Sequence, residues 1–194
     1  MRGRQDLTDF GREEVAMNEP FLTDVKTLRE RARESIEQGP ITRAYGADRA
    51  RVVEVLNDAL ATELVCVLRY RRHYYTAQGL DAGPVADEFL AHANEEQDHA
   101  DQIAMRITQL QGQPNFDPDG LALRSHSEYD ASPGLLQMVK EDLVAERIAI
   151  ESYTEIIKWL GDDDPTTRRM MEQILAVEEE HADDLLNFLQ NMQG

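Results

Sequence analysis

Glu96-Gln97-Asp98-His99 and Glu178-Glu179-Glu180-His181 each set a carboxylate and an imidazole three residues apart. On a helix that spacing puts both groups on one face, a turn apart, where a single metal ion can take both. One such pair means little in a chain with 38 acidic residues. Its recurrence with a lone glutamate upstream of each copy means more: Glu63 precedes Glu96 by 33 residues, and Glu146 precedes Glu178 by 32. Glu178 is preferred to Glu179 because only Glu178 stands three before His181. The six groups Glu63, Glu96, His99, Glu146, Glu178 and His181 suit two divalent ions of iron or manganese, each with one imidazole, one terminal carboxylate and shared bridging carboxylates. Two Fe(II) ions held side by side can deliver two electrons together to O2 or H2O2 and so avoid one-electron radical products.

Four long helices must position these groups. The first is expected from about Asp48 to Gln78, stopped by Gly79, with an inward stripe of Val52, Leu56, Leu60, Glu63, Val67, Tyr70 and Tyr74. A carboxylate in that stripe must be protonated, paired with a cation or bound to metal. Arg69, Arg71 and Arg72 are offset from the stripe and read as a solvated face. The second helix restarts at Gly83-Pro84, with Pro84 at its first position, and runs to about Gln111. His92 lies on its inner side a turn away from Glu96 and reads as a structural histidine. Ser132-Pro133 reads as the cap and first residue of the third helix, ended by Gly161; Asp164-Pro165 opens the fourth, which reaches Met192. Between the second and third helices lie 21 residues, Gly112 to Ser132, rich in proline and polar residues. At about 3.3 Å per residue they can cross the length of a bundle, with room for a short helix on the way.

The third helix repeats the first: Leu60, Glu63, Val65, Val67 and Tyr70 align with Leu143, Glu146, Ile148, Ile150 and Tyr153 at an offset of 83. The fourth repeats the second, His99-Ala100-Asp101 against His181-Ala182-Asp183 at an offset of 82. Counted from the turns at about 1.5 Å per residue, all six groups fall at one height, mid-bundle.

The chain has 194 residues and a formal net charge of −18. Residues 1–51 are balanced, with ten basic and ten acidic side chains, so the excess lies in 52–194, with 10 basic and 28 acidic. Such a body draws cations and repels nucleic acid and anionic membranes. The single Cys66 excludes a disulfide framework and any cysteine-rich zinc or iron–sulfur site, and fits a reducing compartment. No apolar run approaches a membrane span and the start lacks an apolar leader, so a cytoplasmic protein is expected. Residues 1–20 carry no period and read as an arm. Phe21, Leu22, Val25, Leu28 and Ile36 place a short amphipathic helix over 21–38, stopped by Gly39-Pro40, packing on the body or on a neighbouring subunit. The organisation expected is an N-terminal arm, 1–47, and an all-α four-helix bundle, 48–194.

Over about residues 48–192 the chain resembles the ferritin-like superfamily and, within it, the bacterioferritins: Glu63, Glu96/His99, Glu146 and Glu178/His181 fall on that family's ferroxidase ligands. The resemblance implies a ferritin-like bundle with a long crossover, Glu63 and Glu146 as terminal ligands, Glu96 and Glu178 as bridges, and His99 and His181 as the imidazoles. Tyr70 matches an outer tyrosine of that site. The activity implied is oxidation of Fe(II) by O2 or H2O2 at two iron ions per subunit, with ferric mineral held in a homo-oligomeric cage. Where bacterioferritins carry a haem-ligating methionine this chain has Gln97, so haem is not expected. The chain stops thirteen residues after His181 and carries an N-terminal extension and a long crossover, features similar to dodecameric mini-ferritins of the Dps-like type; twelve subunits are expected over twenty-four. Its arm is not net basic, so it offers DNA no cationic handle. The competing expectation is a soluble di-metal iron or manganese peroxidase, catalase or oxidase that stores no mineral.

Overall fold

The computed structural model describes residues 23–79 and 82–193, all helix, turn and loop. The arm over 1–20, Phe21 and Leu22 lie outside the described residues. The chain divides into two units, Met1–Ile36 and Glu37–Gly194. In the first, α1 (Val25–Arg31) is capped by Asp24, whose carboxylate accepts from the backbone of Lys26 at 3.0 Å and Thr27 at 3.1 Å. It is shorter than the helix expected over 21–38 because the chain breaks into turns after Arg31 before a single 3-10 turn at Ile36–Gln38.

The second unit holds four long helices: α2 (Arg49–Thr76), α3 (Ala82–Gln109), α5 (Leu135–Leu160) and α6 (Pro165–Gln193), with the one-turn α4 (Leu121–Arg124) in the crossover. Asp48 caps α2 through the amides of Ala50 and Arg51. Asp164 caps α6 and also accepts two hydrogen bonds from the buried Arg106 of α3, at 2.9 and 3.1 Å, which ties the start of α6 to the end of α3. Residues 37–47 fall in this unit: Gly46 donates its amide to the Asp163 carbonyl at 3.2 Å and Tyr45 its hydroxyl to Asp164 at 3.0 Å.

Two helix starts differ from expectation. Pro84 is the third residue of α3, not the first; it still lies in the opening turn, where a missing amide leaves no helical bond unmade. Ser132 does not cap α5. Its amide and hydroxyl both go to the Asp130 carboxylate at 2.9 Å, and the cap position falls to Gly134, whose φ of 93° few residues with a side chain adopt.

Arg69 departs furthest from the sequence reading. It is buried, not solvated. Its Nε lies 2.9 Å from Asp142 of α5 and its Nη1 donates to the Glu128 carbonyl of the crossover at 2.8 Å, while Asp142 also meets His73 Nδ1 at 2.8 Å. The partners that make its burial tolerable come from segments 59 and more residues away. Arg71 and Arg72 are half-buried.

The helices pair as α2 on α3 and α5 on α6, two hairpins joined by the crossover. The apolar core is split in two. One cluster gathers Leu56, Leu60, Ile103, Ile107, Tyr153 and Ile174; the other gathers Tyr70, Phe89, Ala93, Val139 and Leu185. On each long helix the buried acidic and imidazole groups of the motif fall between its contributions to the two clusters, so a polar belt crosses the bundle with an apolar plug on either side.

Candidate metal centre

Glu63 on α2, Glu96 and His99 on α3, Glu146 on α5, and Glu178 and His181 on α6 all sit in that belt, none more than 4% exposed. They form two overlapping sets. Donor atoms of Glu63, Glu96, His99 and Glu178 lie within 4.8 Å of one another, as do those of Glu96, Glu146, Glu178 and His181. Glu96 and Glu178 belong to both sets. His99 Nδ1 stands 3.0 Å from Glu178, 3.4 Å from Glu96 and 3.6 Å from Glu63. His181 Nδ1 stands 3.6 Å from Glu96, 3.7 Å from Glu178 and 3.9 Å from Glu146. The structure thus brings together all six residues that the duplicated motif singles out. Glu179 is exposed.

Around these six stands a ring of outer contacts. Tyr70 O–H donates to Glu146 and Tyr153 O–H donates to Glu63, each tyrosine reaching from one hairpin to the other. The sequence resemblance points to Tyr70 alone; the offset of 83 that aligns Tyr70 with Tyr153 is the signal that would have found the second. His181 Nε2 lies 2.8 Å from Glu95, an exposed carboxylate of the kind sequence treats as surface. His92, fully buried, stacks on the His181 ring with centroids 3.9 Å apart and turns its Nδ1 to Tyr70 O–H at 3.3 Å.

The electrostatics of the belt call for cations. Both oxygens of Glu96 and of Glu178, Glu146 Oε2, and Nδ1 of His99 and His181 are buried without a hydrogen-bond partner. Groups of this kind cost several kcal/mol each unless matched by charge. Burial and the nearby Glu96 push Glu63 up to about 8. Burial and the charges of Glu96 and Glu178 hold Glu146 well above the carboxylate range. Burial alone would depress His181, but its contacts with Glu178 and Glu96 outweigh that and raise it to about 11; His99 is raised in the same way by Glu178, Glu63 and Glu96. Burial and Glu178 would raise Glu96 as well, yet its contacts with Glu63, His181 and His99 prevail and lower it. The protons that neutralise the belt sit where divalent ions would replace them, and oxygen and imidazole donors without thiolates fit iron or manganese.

A four-helix bundle with a glutamate on each of two helices and Glu-x-x-His on each of the other two defines the ferritin-like class of helical proteins. The chain belongs to that family: the ferritin-like domain matches residues 53–194. Among relatives, the bacterioferritin of Desulfovibrio desulfuricans is 31% identical over 134 residues, covering 69% of this chain and 71% of its own length. A nutrient stress-induced DNA-binding protein of Nostoc is 32% identical, covering 72% of this chain and 78% of its own. Among solved structures, the dodecameric thioferritin of Bacteroides fragilis, a bacterioferritin-related protein, superposes with a TM-score of 0.74 at 32% identity, covering 76% of this chain and 89% of that one. The D. desulfuricans bacterioferritin, described with its diiron site in different catalytic states, superposes with a TM-score of 0.67 at 27% identity, covering 75% and 81%.

Proposed function

We propose that this protein is a ferroxidase that oxidises Fe(II) with O2 or H2O2 at a two-iron site inside each subunit and holds the ferric product as mineral in a homo-oligomeric cage. The observation that carries the reading is the sharing of Glu96 and Glu178 between two four-residue sets, each with its own imidazole and its own outer glutamate. In this reading His99 and Glu63 hold one Fe(II), His181 and Glu146 hold the other, and Glu96 and Glu178 span both. Tyr153 and Tyr70 fix the outer glutamates through their hydroxyls, leaving the second oxygen of each for metal. The belt's four carboxylates favour the higher charge of Fe(III), and the apolar plugs on either side keep bulk water out.

Iron is the substrate. Manganese fits the same donors. Gln97, whose side-chain amide donates to Asp101 at 3.1 Å, offers no thioether to a haem, and none is proposed. A twelve-subunit cage is favoured by the likeness to the dodecameric B. fragilis protein. The charge of the body argues against DNA as a partner even though one relative is a DNA-binding protein. Among the described residues no helix is long and apolar enough to cross a membrane, and a cytoplasmic setting suits the single free thiol of Cys66.

The test is size-exclusion chromatography with light scattering after anaerobic Fe(II) loading and exposure to O2 or H2O2. A particle of about twelve subunits, a closed point-group assembly, that retains many more than two irons per subunit is expected. A monomer or dimer holding two metals would instead identify a di-metal peroxidase, catalase or oxidase without storage.

A further inference from the structure

Beside the belt lies a second group of metal-type donors that the two-iron reading does not use. Glu88 and His92 stand at i and i+4 on α3, and Asp184 faces them from α6; their donor atoms lie within 4.8 Å of one another. Glu88 is two-thirds buried and Asp184 half-buried, while His92 is 1% exposed. Among the described residues neither carboxylate has a lysine or arginine within ion-pair distance.

The orientation of His92 follows from its other neighbour. When Glu146 is ionised, as it would be on metal, the single hydroxyl proton of Tyr70 goes to it, and the tyrosine oxygen, 3.3 Å from His92 Nδ1, accepts from the ring. In that state Nδ1 carries the ring proton and Nε2 presents a lone pair. That Nε2 is buried without a hydrogen-bond partner and lies 3.3 Å from Glu88 Oε1. A buried lone pair this close to a carboxylate, with Asp184 in the same cluster, is repulsive unless something positive lies among them.

We propose that Glu88, His92 and Asp184 form a third divalent-cation site, which passes Fe(II) to the pair held by Glu96, Glu146, Glu178 and His181. One imidazole and two carboxylates from two helices suit Fe(II), Mn(II), Co(II) or Zn(II), with water completing the coordination. The route inward is short: the His92 ring lies against the His181 ring, and Glu95 shares a further cluster of donor atoms with both histidines. The transfer role rests on the two-iron reading; the site itself does not.

The experiment is an anaerobic Co(II) titration by equilibrium dialysis at high salt, which screens loosely held surface ions. Wild type is expected to bind three ions per subunit. Glu88→Gln with Asp184→Asn is expected to bind two, and Glu63→Ala with Glu178→Ala to keep the third ion while losing the paired ones. Two ions in wild type, or three in the Glu88→Gln, Asp184→Asn variant, would overturn the proposal. Unchanged binding in the Glu63→Ala, Glu178→Ala variant would instead overturn the two-iron reading. Glu88→Gln alone, at a position one-third exposed, provides the same comparison should the double variant fail to fold.

Discussion

The two halves of the belt match in their inner groups and differ outside them. Glu63 with His99 and Glu146 with His181 are related by the internal repeat, and each outer glutamate takes a hydroxyl from a tyrosine of the opposite hairpin. The symmetry ends at the imidazoles. His181 has its far nitrogen on Glu95 and its face on His92, whereas among the described residues no hydrogen bond is made to the far nitrogen of His99. The duplicated hairpin supplies a symmetric pair of donor sets, and the contacts of Glu95 and His92 set one of them apart. The side with Glu95 and His92 is the side from which a third ion is proposed to arrive.

The largest effect is expected where the halves are joined. Glu178→Ala removes a group from both sets, so fast Fe(II) oxidation should fall to the background rate and both ions should be lost in an anaerobic titration; wild-type oxidation would break the shared-bridge arrangement. Glu63→Ala and Glu146→Ala each remove one half. Both should abolish the fast phase while leaving the helical circular dichroism unchanged and one ion bound. A fast phase retained in either variant would show that the halves are not equivalent partners in the reaction.

Acid–base behaviour should show next. Below about pH 8 Glu63 carries a proton in the metal-free fold, and His181 keeps its second proton up to about 11, so incoming metal must displace protons. Metal affinity should rise with pH, by about tenfold per unit for each proton displaced. Stability of the metal-free protein runs the other way. Both groups bind protons more tightly folded than unfolded, so their contribution is full at low pH, falls above the ordinary glutamate value until about 8 for Glu63, and falls above the ordinary histidine value until about 11 for His181. Thermal melts of metal-free wild type and Glu63→Gln should converge below the ordinary glutamate value and separate progressively from there to about pH 8, with wild type the less stable; the reverse separation would contradict the burial of Glu63 as an acid.

Smaller effects lie in the outer contacts. Tyr70→Phe and Tyr153→Phe each leave one outer glutamate without its hydroxyl and should lower affinity in their own half by about tenfold, the low end for such supporting contacts. Equal losses would extend the symmetry to the tyrosines. Glu95→Gln should weaken only the His181 half, by several-fold or less because Glu95 is exposed, and a titration that resolves the two ions would read it directly.

The six belt residues were legible because they recur: a repeated Glu, then Glu-x-x-His, inside helical stripes survives any uncertainty about helix ends. The long crossover was legible from length and proline content. What escaped depends on partners that local sequence does not name. Arg69 looked solvated because its position is offset from the stripe of its own helix, yet Asp142 and the Glu128 carbonyl, brought over by the crossover, give it a buried place. Glu95 sits next to Glu96 and belongs to the same site through a histidine 86 residues away. Ser132 has the residue type of a cap, but Asp130 two residues earlier competes for its donors and moves the helix start to Gly134.

In the proposed arrangement one chain holds two metal ions that share Glu96 and Glu178. Anomalous diffraction from crystals soaked anaerobically in Fe(II) tests it most directly. The expected map shows two ions in the belt, one on His99 Nδ1 and Glu63, the other on His181 Nδ1 and Glu146, with Glu96 and Glu178 touching both. A single ion in the belt, or ions only on exposed carboxylates with the belt unchanged, would contradict it.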